Sequence, residues 1–319
     1  MNNITIKQAA DFLKSCGDSY ILIHQSPDGD CIGSGYAVKN YLEATGRKAK
    51  VLCCDEIPAR YSFLLSGKND DFVPQNVISV DVADKVLFGN LADEYGDKIE
   101  LSIDHHASNK PFANQTCVDS GAAAACEVLY EVFKAADFEI TRQMAICLYT
   151  GIATDTGCFQ FSNAKARTFQ IVSHIMQKYP DINYSKINRQ MFAVKTRQRM
   201  KMEAMAVENM EAFFDGKCAV ISVTLDFLEK MHVDSKDIEG IESIPLQLDT
   251  SVIGITIKER EKGFFKISMR GTDGIDVSKI CEVFGGGGHV KAAGCAIKGT
   301  LEEVKSRILE AVGKAADFS

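Results

Sequence analysis

The sequence predicts an α/β protein in which a largely parallel sheet, flanked by helices, precedes a smaller α/β unit with a mixed sheet. Residues 1 to about 180 alternate short apolar runs with helical patterns, which is typical of parallel strands joined by covering helices. Beyond residue 217 the pattern changes to β-rich segments, which indicates a second domain. With 319 residues, 46% of them hydrophobic, the chain can bury two cores.

Four short apolar segments of the first domain are the candidate strands: 20–24, 50–53, 77–81 and 99–104. The first, third and fourth each end in a polar or charged residue. The carboxyl ends of strands in an open α/β sheet are where ligands collect. We therefore expect these three strand ends to form one rim that carries the functional site.

The domain boundaries follow from a change in composition after Tyr179-Pro180. We predict a first domain over 1–185, a linker helix over 186–215 and a second domain over 216–319. The linker prediction depends on the run 191–214, which is rich in Met, Lys, Arg and Glu at helical spacing. In the second domain, β-rich segments at 218–221 and 251–258 precede a predicted hairpin turn at 261–263, and 264–270 follows it.

Charge and cysteine usage limit the classes of partner and location. A formal charge of −7 and a pI near 5.5 argue against a long nucleic-acid tract, because that affinity comes from many Lys and Arg contacts. A short anionic substrate in a locally basic pocket remains compatible. The eleven cysteines include no Cys-x-x-Cys spacing and favour reduced, buried thiols. No apolar stretch is long enough for a membrane span, so we expect a cytoplasmic protein without a membrane partner.

The first candidate motif is the stretch HQSPDGD at 24–30, followed by Ser34 and a helical pattern from Tyr36. Pro27 and Gly29 favour a turn, and the two aspartates lie two positions apart, so one loop can offer carboxylates to two neighbouring cations. The alternative is an Asp-Gly turn that caps a helix.

Three further elements carry acidic or imidazole groups. Asp81 ends an apolar strand, where it is either a ligand or a helix N-cap. Asp104-His105-His106 closes another strand, and its adjacent imidazoles point in different directions, so they can hold two roles or be structural. Asp155 follows an apolar helix at 144–153, where a bound cation would offset the negative end of the helix dipole; the alternative is a solvated loop aspartate.

Together the four elements supply a carboxylate and imidazole set without thiolate. The candidate metal ligands are His24, Asp28, Asp30, Asp81, His105 and Asp155. This set favours two divalent ions, Mn²⁺ first with Mg²⁺, Co²⁺ or Fe²⁺ as alternatives, over a structural zinc site.

In this order the four motifs resemble those of the DHH phosphoesterase superfamily, named for the triplet found here at 104–106. The resemblance implies that one ion is bound by His24, Asp28 and Asp81. It implies that the second ion is bound by Asp30, Asp81, His105 and Asp155. Asp81 is then the bridging ligand.

The same resemblance implies a catalytic set of Asp81, Asp104 and His106. Asp104 would orient a neighbouring histidine, and His106 would contact the substrate phosphate and protonate the leaving group.

A glycine-rich segment near the C-terminus is the candidate substrate site. Gly285 to Gly288 precede His289, and backbone N–H groups without side chains can approach a phosphate closely; the alternative is a flexible linker. Arg270, at a predicted strand end, is suited to bidentate phosphate recognition. These features resemble the DHHA1 domain. The candidate substrate residues are Ser34, Arg270, Gly286, Gly287, Gly288 and His289.

The two-domain layout resembles the NrnA group of the superfamily. This resemblance implies hydrolysis of short oligoribonucleotides to mononucleotides, dephosphorylation of 3′-phosphoadenosine 5′-phosphate (pAp), or both. Cyclic- or linear-dinucleotide phosphodiesterases share both domains and stay open as an alternative. A non-catalytic nucleotide- or RNA-binding protein is a second alternative that stays open. The sequence leaves the oligomeric state open, a homodimer included.

Overall fold

The computed structural model of the chain describes residues 2–67, 70–231, 240–272, 274–316 and 318. The chain divides into two compact units, Met1–Val194 and Lys195–Ser319. Each unit contains its own six-stranded sheet, parallel in the first and mixed in the second. The predicted α/β class and the two kinds of sheet are confirmed.

The first sheet has the strand order β1-β6-β5-β4-β2-β3, and every neighbouring pair is parallel. Its strands are β1 Asn2–Asn3, β2 Ser19–Leu22, β3 Ala49–Leu52, β4 Asn76–Val80, β5 Leu101–Asp104 and β6 Gln115–Val118. The four predicted strands are confirmed to within two residues. Sequence analysis missed β1 and β6, because one has only two residues and the other begins with Gln and Thr, so neither forms an apolar run.

The described part of this unit contains seven α-helices, the last four of which follow one another after β6. They are α1 Ile6–Ser15, α2 Gly29–Ala44, α3 Leu91–Tyr95, α4 Ala125–Ala135, α5 Arg142–Asp155, α6 Ala166–Lys178 and α7 Tyr184–Asn188. Helix α2 begins at Gly29, seven positions before the helical pattern noticed at Tyr36. The physical reason is a side-chain cap, since the Asp28 carboxylate accepts hydrogen bonds from the N–H groups of Asp30 and Cys31.

Two glycines allow α2, α4 and α5 to pack closely. A Cβ atom at Gly33 would lie 2.6 Å from the carbonyl oxygen of Cys147, and one at Gly151 would lie 2.6 Å from Oδ1 of Asp30. Neither position has room for a side chain. This close approach places Asp30, on α2, beside the helix that ends at Asp155.

The second sheet has the order β11-β12-β10-β9-β8-β7, in which only β8 and β9 are parallel. Its strands are β7 Glu211–Phe213, β8 Cys218–Val223, β9 Ile253–Glu261, β10 Phe264–Gly271, β11 Gly287–His289 and β12 Ala292–Lys298. The helices of its described residues are α8 Arg197–Glu208, α9 Leu225–Met231, α10 Val277–Glu282 and α11 Leu301–Ala316. The predicted hairpin turn joins β9 to β10, and Gly263 adopts φ 71° there.

The segment 186–215 does not form one continuous helix. A π-type turn at Arg189–Ala193 follows α7, Val194 is extended, and α8 starts anew behind Thr196. The Thr196 hydroxyl accepts a hydrogen bond from the N–H of Arg199 at 3.0 Å, which is a typical N-cap. The boundary between the two compact units lies at this break.

Sequence analysis predicted reduced cysteine thiols and no membrane span. All eleven cysteines lie in the described residues as free thiols; eight are buried, and Cys53, Cys54 and Cys158 are half-buried. Among the helices that the structure describes, none combines the length and the apolar character that a membrane span requires.

Candidate metal centre

The structure brings all six predicted metal ligands together at the carboxyl ends of β2, β4 and β5. Two come from the strand ends that meet there directly, since β4 is followed by Asp81 and β5 ends at Asp104, immediately before His105. The others are His24 after β2, Asp28 and Asp30 at the start of α2, and Asp155 at the end of α5. Parallel strands account for this convergence, because their carboxyl ends lie on one edge of the sheet.

Asp81 lies at the centre of the cluster. Its Oδ1 is 3.5 Å from Nε2 of His105, and its Oδ2 is 3.8 Å from Nε2 of His24. The residue has φ 57°, a left-handed conformation that Asp and Asn tolerate better than most residues do. Its Oδ1 is buried and accepts no hydrogen bond. Burial and the charges of Asp30 and Asp28 raise the pKa of Asp81 well above its ordinary value.

Asp30 is held by the N-terminus of α4. Its Oδ2 accepts a hydrogen bond from the N–H of Ala125 at 2.6 Å, and its Oδ1 accepts one from the N–H of Cys126 at 3.0 Å. The first N–H groups of a helix have no partner within the helix and favour an anion. Burial and the charge of Asp155 nevertheless raise the pKa of Asp30 to about 7. No local sequence pattern predicts this contact.

His105 faces three carboxylates. Its Nε2 lies 3.2 Å from Oδ2 of Asp155 and 3.9 Å from Oδ2 of Asp30, in addition to its approach to Asp81. Burial lowers the pKa of His105, but its close contact with Asp155 and the charge of Asp30 outweigh burial and raise it to about 9. The His105 imidazole therefore lies where negative charge is concentrated.

This donor set fits divalent cations. Buried carboxylates that repel one another, one of them with an oxygen that accepts no hydrogen bond, require a compensating positive charge. Three sets of ligand atoms each lie within 4.8 Å of one another: His24 with Asp28 and Cys31, Asp30 with His105 and Asp155, and Asp81 with Asp104, His105 and His106. Sequence analysis did not predict Cys31. It belongs to the first of these sets because it lies in the first turn of α2, which Asp28 caps.

Asp104 orients His106. Its Oδ1 lies 2.8 Å from Nδ1 of His106, and it also accepts hydrogen bonds from the N–H groups of His105 and His106. Asn109, which sequence analysis missed, donates from Nδ2 to Oδ2 of Asp104 at 2.6 Å. The hydrogen bond with Asp104 raises the pKa of His106. Because 41% of the His106 side chain is exposed, this imidazole lies on the open side of the cluster.

Ser34 does not line the cluster. It is fully buried in α2, and its hydroxyl donates a hydrogen bond to the carbonyl oxygen of Cys31 at 3.0 Å. A buried hydroxyl that already has an acceptor is not available to a ligand. The prediction that Ser34 binds substrate therefore does not fit the structure.

In the second unit, Arg270 and His289 share one face of the sheet. Both pair directly with Ala292 of β12, Arg270 from β10 and His289 from β11. Directly opposed residues in a sheet point to the same side. On the β11 and β12 side of Arg270, the next row on this face consists of Ser268, Gly294 and Gly287, so the surface there is nearly bare backbone. Thr256, opposite Ser268 on β9, is fully buried.

The tetraglycine segment differs from the expected phosphate nest of free N–H groups. Gly287 and Gly288 belong to β11, and the N–H groups of Gly285 and Gly286 donate to the carbonyl oxygens of Glu282 and Cys281 at the end of α10. A Cβ atom at Gly286 would lie 2.2 Å from the carbonyl oxygen of Gly294. The absence of a side chain at Gly286 therefore serves packing.

A pair of alanine substitutions tests these roles. Gly286→Ala is expected to lower the free energy of unfolding by about 1–3 kcal/mol, because the new methyl group overlaps the backbone of β12. Gly287→Ala is the matched control, since a Cβ atom there meets nothing within 4 Å. Chemical denaturation of both variants measures the difference. Equal stabilities would contradict the packing role of Gly286.

Comparisons with known proteins agree with this architecture. The sequence model of the DHH family, N-terminal domain, matches residues 19–152, and the model of the DHHA1 domain matches residues 216–316. A relative from Thermus thermophilus, named bifunctional oligoribonuclease and PAP phosphatase NrnA, is 26% identical over 316 residues, with 96% of this chain and 93% of the relative covered. A Streptococcus mutans protein named as its probable equivalent is 26% identical over 85% of this chain and 86% of its own length.

A solved structure shares the whole fold. The crystal structure of an exopolyphosphatase-related protein from Bacteroides fragilis superposes with a TM-score of 0.87 at 23% identity, with 97% of this chain and 95% of that chain covered. The two domain models lie one in each compact unit. With the DHH triplet at the cluster and both domain models matched, the chain belongs to the DHH family of phosphoesterases and carries a DHHA1 domain as its second unit.

Proposed function

We propose that the protein is a metal-dependent phosphoesterase that hydrolyses short oligoribonucleotides to mononucleotides, pAp to AMP, or both. The observation that carries this proposal is the position of Asp81, whose two carboxylate oxygens face the imidazoles of two different ligand groups. A carboxylate in that position suits a bridge between two ions. The names of the relatives from Thermus and Streptococcus point to the same two activities.

In this proposal the six side chains divide between two ions, with Mn²⁺ as the favoured metal. His24, Asp28 and Asp81 hold the first ion. Asp30, Asp81, His105 and Asp155 hold the second. When bound, divalent ions supply Lewis-acid polarisation of a phosphoryl group. The mixed carboxylate and imidazole donors support Mn²⁺ over zinc, and Mg²⁺, Co²⁺ and Fe²⁺ remain alternatives.

His106 is the proton donor of the proposed reaction. Asp104 holds its Nδ1, so Nε2 is left to face the open side of the cluster. Asn109 and the N–H of His105 fix Asp104 in turn, so the orientation of the imidazole does not depend on the substrate. From there Nε2 protonates the ribose oxygen that leaves the phosphorus.

Arg270 and His289 bind the terminal phosphate or the neighbouring nucleotide in this proposal. The guanidinium offers a bidentate pair of donors, and the small residues beside it leave room for a ligand to lie on the sheet. Such a site would bind one end of a short oligonucleotide. An acidic protein with a site of this kind fits short substrates better than long nucleic acids.

A substrate panel tests the proposal. The purified protein is incubated with Mn²⁺ and, separately, with pAp, pApA, tri- to pentanucleotides and cyclic di-AMP, and products are separated by chromatography. We expect mononucleotides from the short oligomers or AMP from pAp, both abolished by EDTA. Preferred turnover of cyclic di-AMP would reassign the protein to the cyclic-dinucleotide phosphodiesterases. Tight nucleotide binding without turnover under any divalent metal would favour a non-catalytic binding protein.

A further inference from the structure

Phe161 is an exposed phenylalanine six residues after the candidate metal ligand Asp155. The side chain of Phe161 is 60% exposed, the largest exposure of any phenylalanine in the part of the chain that the structure describes. It lies in the turn that follows α5, the helix that ends at Asp155. Leaving an aromatic side chain in water forgoes a hydrophobic gain of about 1.5–3 kcal/mol.

The backbone before Phe161 is strained. Gly157, Cys158 and Phe159 have φ angles of 56°, 57° and 67°, three left-handed residues in succession, and two of them carry side chains. Each such residue other than glycine costs on the order of 1 kcal/mol. Strain of this kind persists only where surrounding contacts hold it, and it concentrates at functional sites.

The turn is held by contacts within it and by contacts with the neighbouring helices. The buried Thr156 hydroxyl accepts a hydrogen bond from the N–H of Phe159 at 3.1 Å, and its carbonyl oxygen accepts one from the N–H of Phe161 at 3.0 Å. The Phe159 ring packs against Tyr149 with a centroid distance of 6.2 Å. Asn163 donates to the carbonyl oxygen of Asp155 at 3.0 Å, which ties the end of the turn back to its start. These contacts fix the backbone of the turn, whereas the Phe161 side chain remains exposed.

The Phe161 ring lies with one face over Gly157. The atoms Cζ, Cε1 and Cε2 lie 2.5–2.7 Å from where a Cβ atom of Gly157 would be, so the ring occupies the space that a side chain there would need. One face of the ring therefore covers Gly157, and the 60% exposure of the side chain leaves the opposite face to solvent. Gly157 is two residues from Asp155, a separation of at most about 7 Å along the chain. The Asp155 side chain is itself 25% exposed.

We propose that Phe161 is a stacking platform for a nucleobase of the substrate whose phosphate lies at the metal cluster. This inference rests on the proposed function and adds a base subsite to it. A base is joined to its phosphate through one ribose, so a phosphate near Asp155 brings the base to the flat ring above Gly157. Stacking tolerates every base, because each has a π face. The subsite would hold the base without selecting its identity.

The test compares substrates with and without bases. Kinetic constants are measured in Mn²⁺ for pApA and for the same dinucleotide with hydrogen in place of both bases, using the wild-type chain, Phe161→Leu and Phe161→Tyr. The leucine keeps an apolar group over Gly157 but lacks a ring face, whereas tyrosine restores the ring. We expect Phe161→Leu to raise KM for pApA roughly 5- to 150-fold, with little change in kcat.

The base-free substrate separates stacking from structure. If Phe161 stacks on a base, Phe161→Leu leaves KM for the base-free dinucleotide unchanged, and Phe161→Tyr restores KM for pApA. An equal loss on both substrates, or no loss on either, would overturn the subsite while the proposed function stands. Absence of wild-type turnover of any nucleotide in the panel would instead overturn the proposed function. Thermal melting of each variant checks that the fold is intact.

Discussion

Asp81→Asn is expected to lower kcat/KM for Mn²⁺-dependent hydrolysis by at least about a thousandfold, the largest effect of any single substitution in this chain. Replacing one carboxylate oxygen by an amide nitrogen removes a donor from one ion position and the negative charge from both, and charge stabilisation by bound metal amounts to several kcal/mol. Asparagine is the appropriate replacement, because residue 81 has φ 57° and asparagine tolerates that conformation, whereas alanine would add strain.

The same variant has a second, independent readout. In metal-free buffer Asp81→Asn should be at least as stable as the wild type, because it removes one of several buried carboxylates that repel each other. On addition of Mn²⁺ the wild-type Tm should rise, since ligands that bind the native state stabilise it, and that of the variant should rise much less. Asp84→Asn is the matched control: this carboxylate pairs with Lys110 at 2.8 Å and caps a short helical turn. Wild-type turnover and a wild-type metal response in Asp81→Asn would refute the bridging role.

His106→Gln is expected to lower kcat by roughly 100- to 10,000-fold, the range that loss of a general acid typically produces. Mn²⁺ binding, measured by calorimetry, should be retained, because Nδ1 of His106 is engaged by Asp104 at 2.8 Å. His174→Gln provides the control, as that imidazole is hydrogen bonded to Tyr130 on the outer helices and should not affect turnover. Loss of Mn²⁺ binding in His106→Gln would make this residue a ligand instead of an acid.

The leaving group distinguishes a proton donor from a phosphate-binding residue. A p-nitrophenyl ester of a mononucleotide releases an acidic phenol, which departs without protonation. If His106 protonates the leaving oxygen, the loss caused by His106→Gln should shrink greatly on this ester compared with pApA. If His106 only binds phosphate, both substrates should lose activity equally. That second pattern would contradict the acid role and leave the metal assignments untouched.

The local pattern of the sequence determined the sheet and most of the candidate ligands. Short apolar runs predict these strands because a parallel sheet covered by helices buries both faces of each strand, and such a sheet places the carboxyl ends of its strands on one rim. The sequence pattern alone therefore places His24, Asp81 and Asp104 on that rim. The hairpin before Phe264 was equally local, since a glycine at the turn position specifies it.

Tertiary structure decided what depends on residues far apart in the chain. Asp30 binds N–H groups at Ala125 and Cys126, which are 95 and 96 positions away, and no local pattern encodes that contact. Burial removed Ser34 from the candidate substrate residues, and the fit against β12 gave Gly286 a packing role. The exposed ring of Phe161 likewise depends on a strained turn held by Thr156 and Asn163. Sequence fixes which groups are available, whereas packing over long separations decides which of them face the substrate.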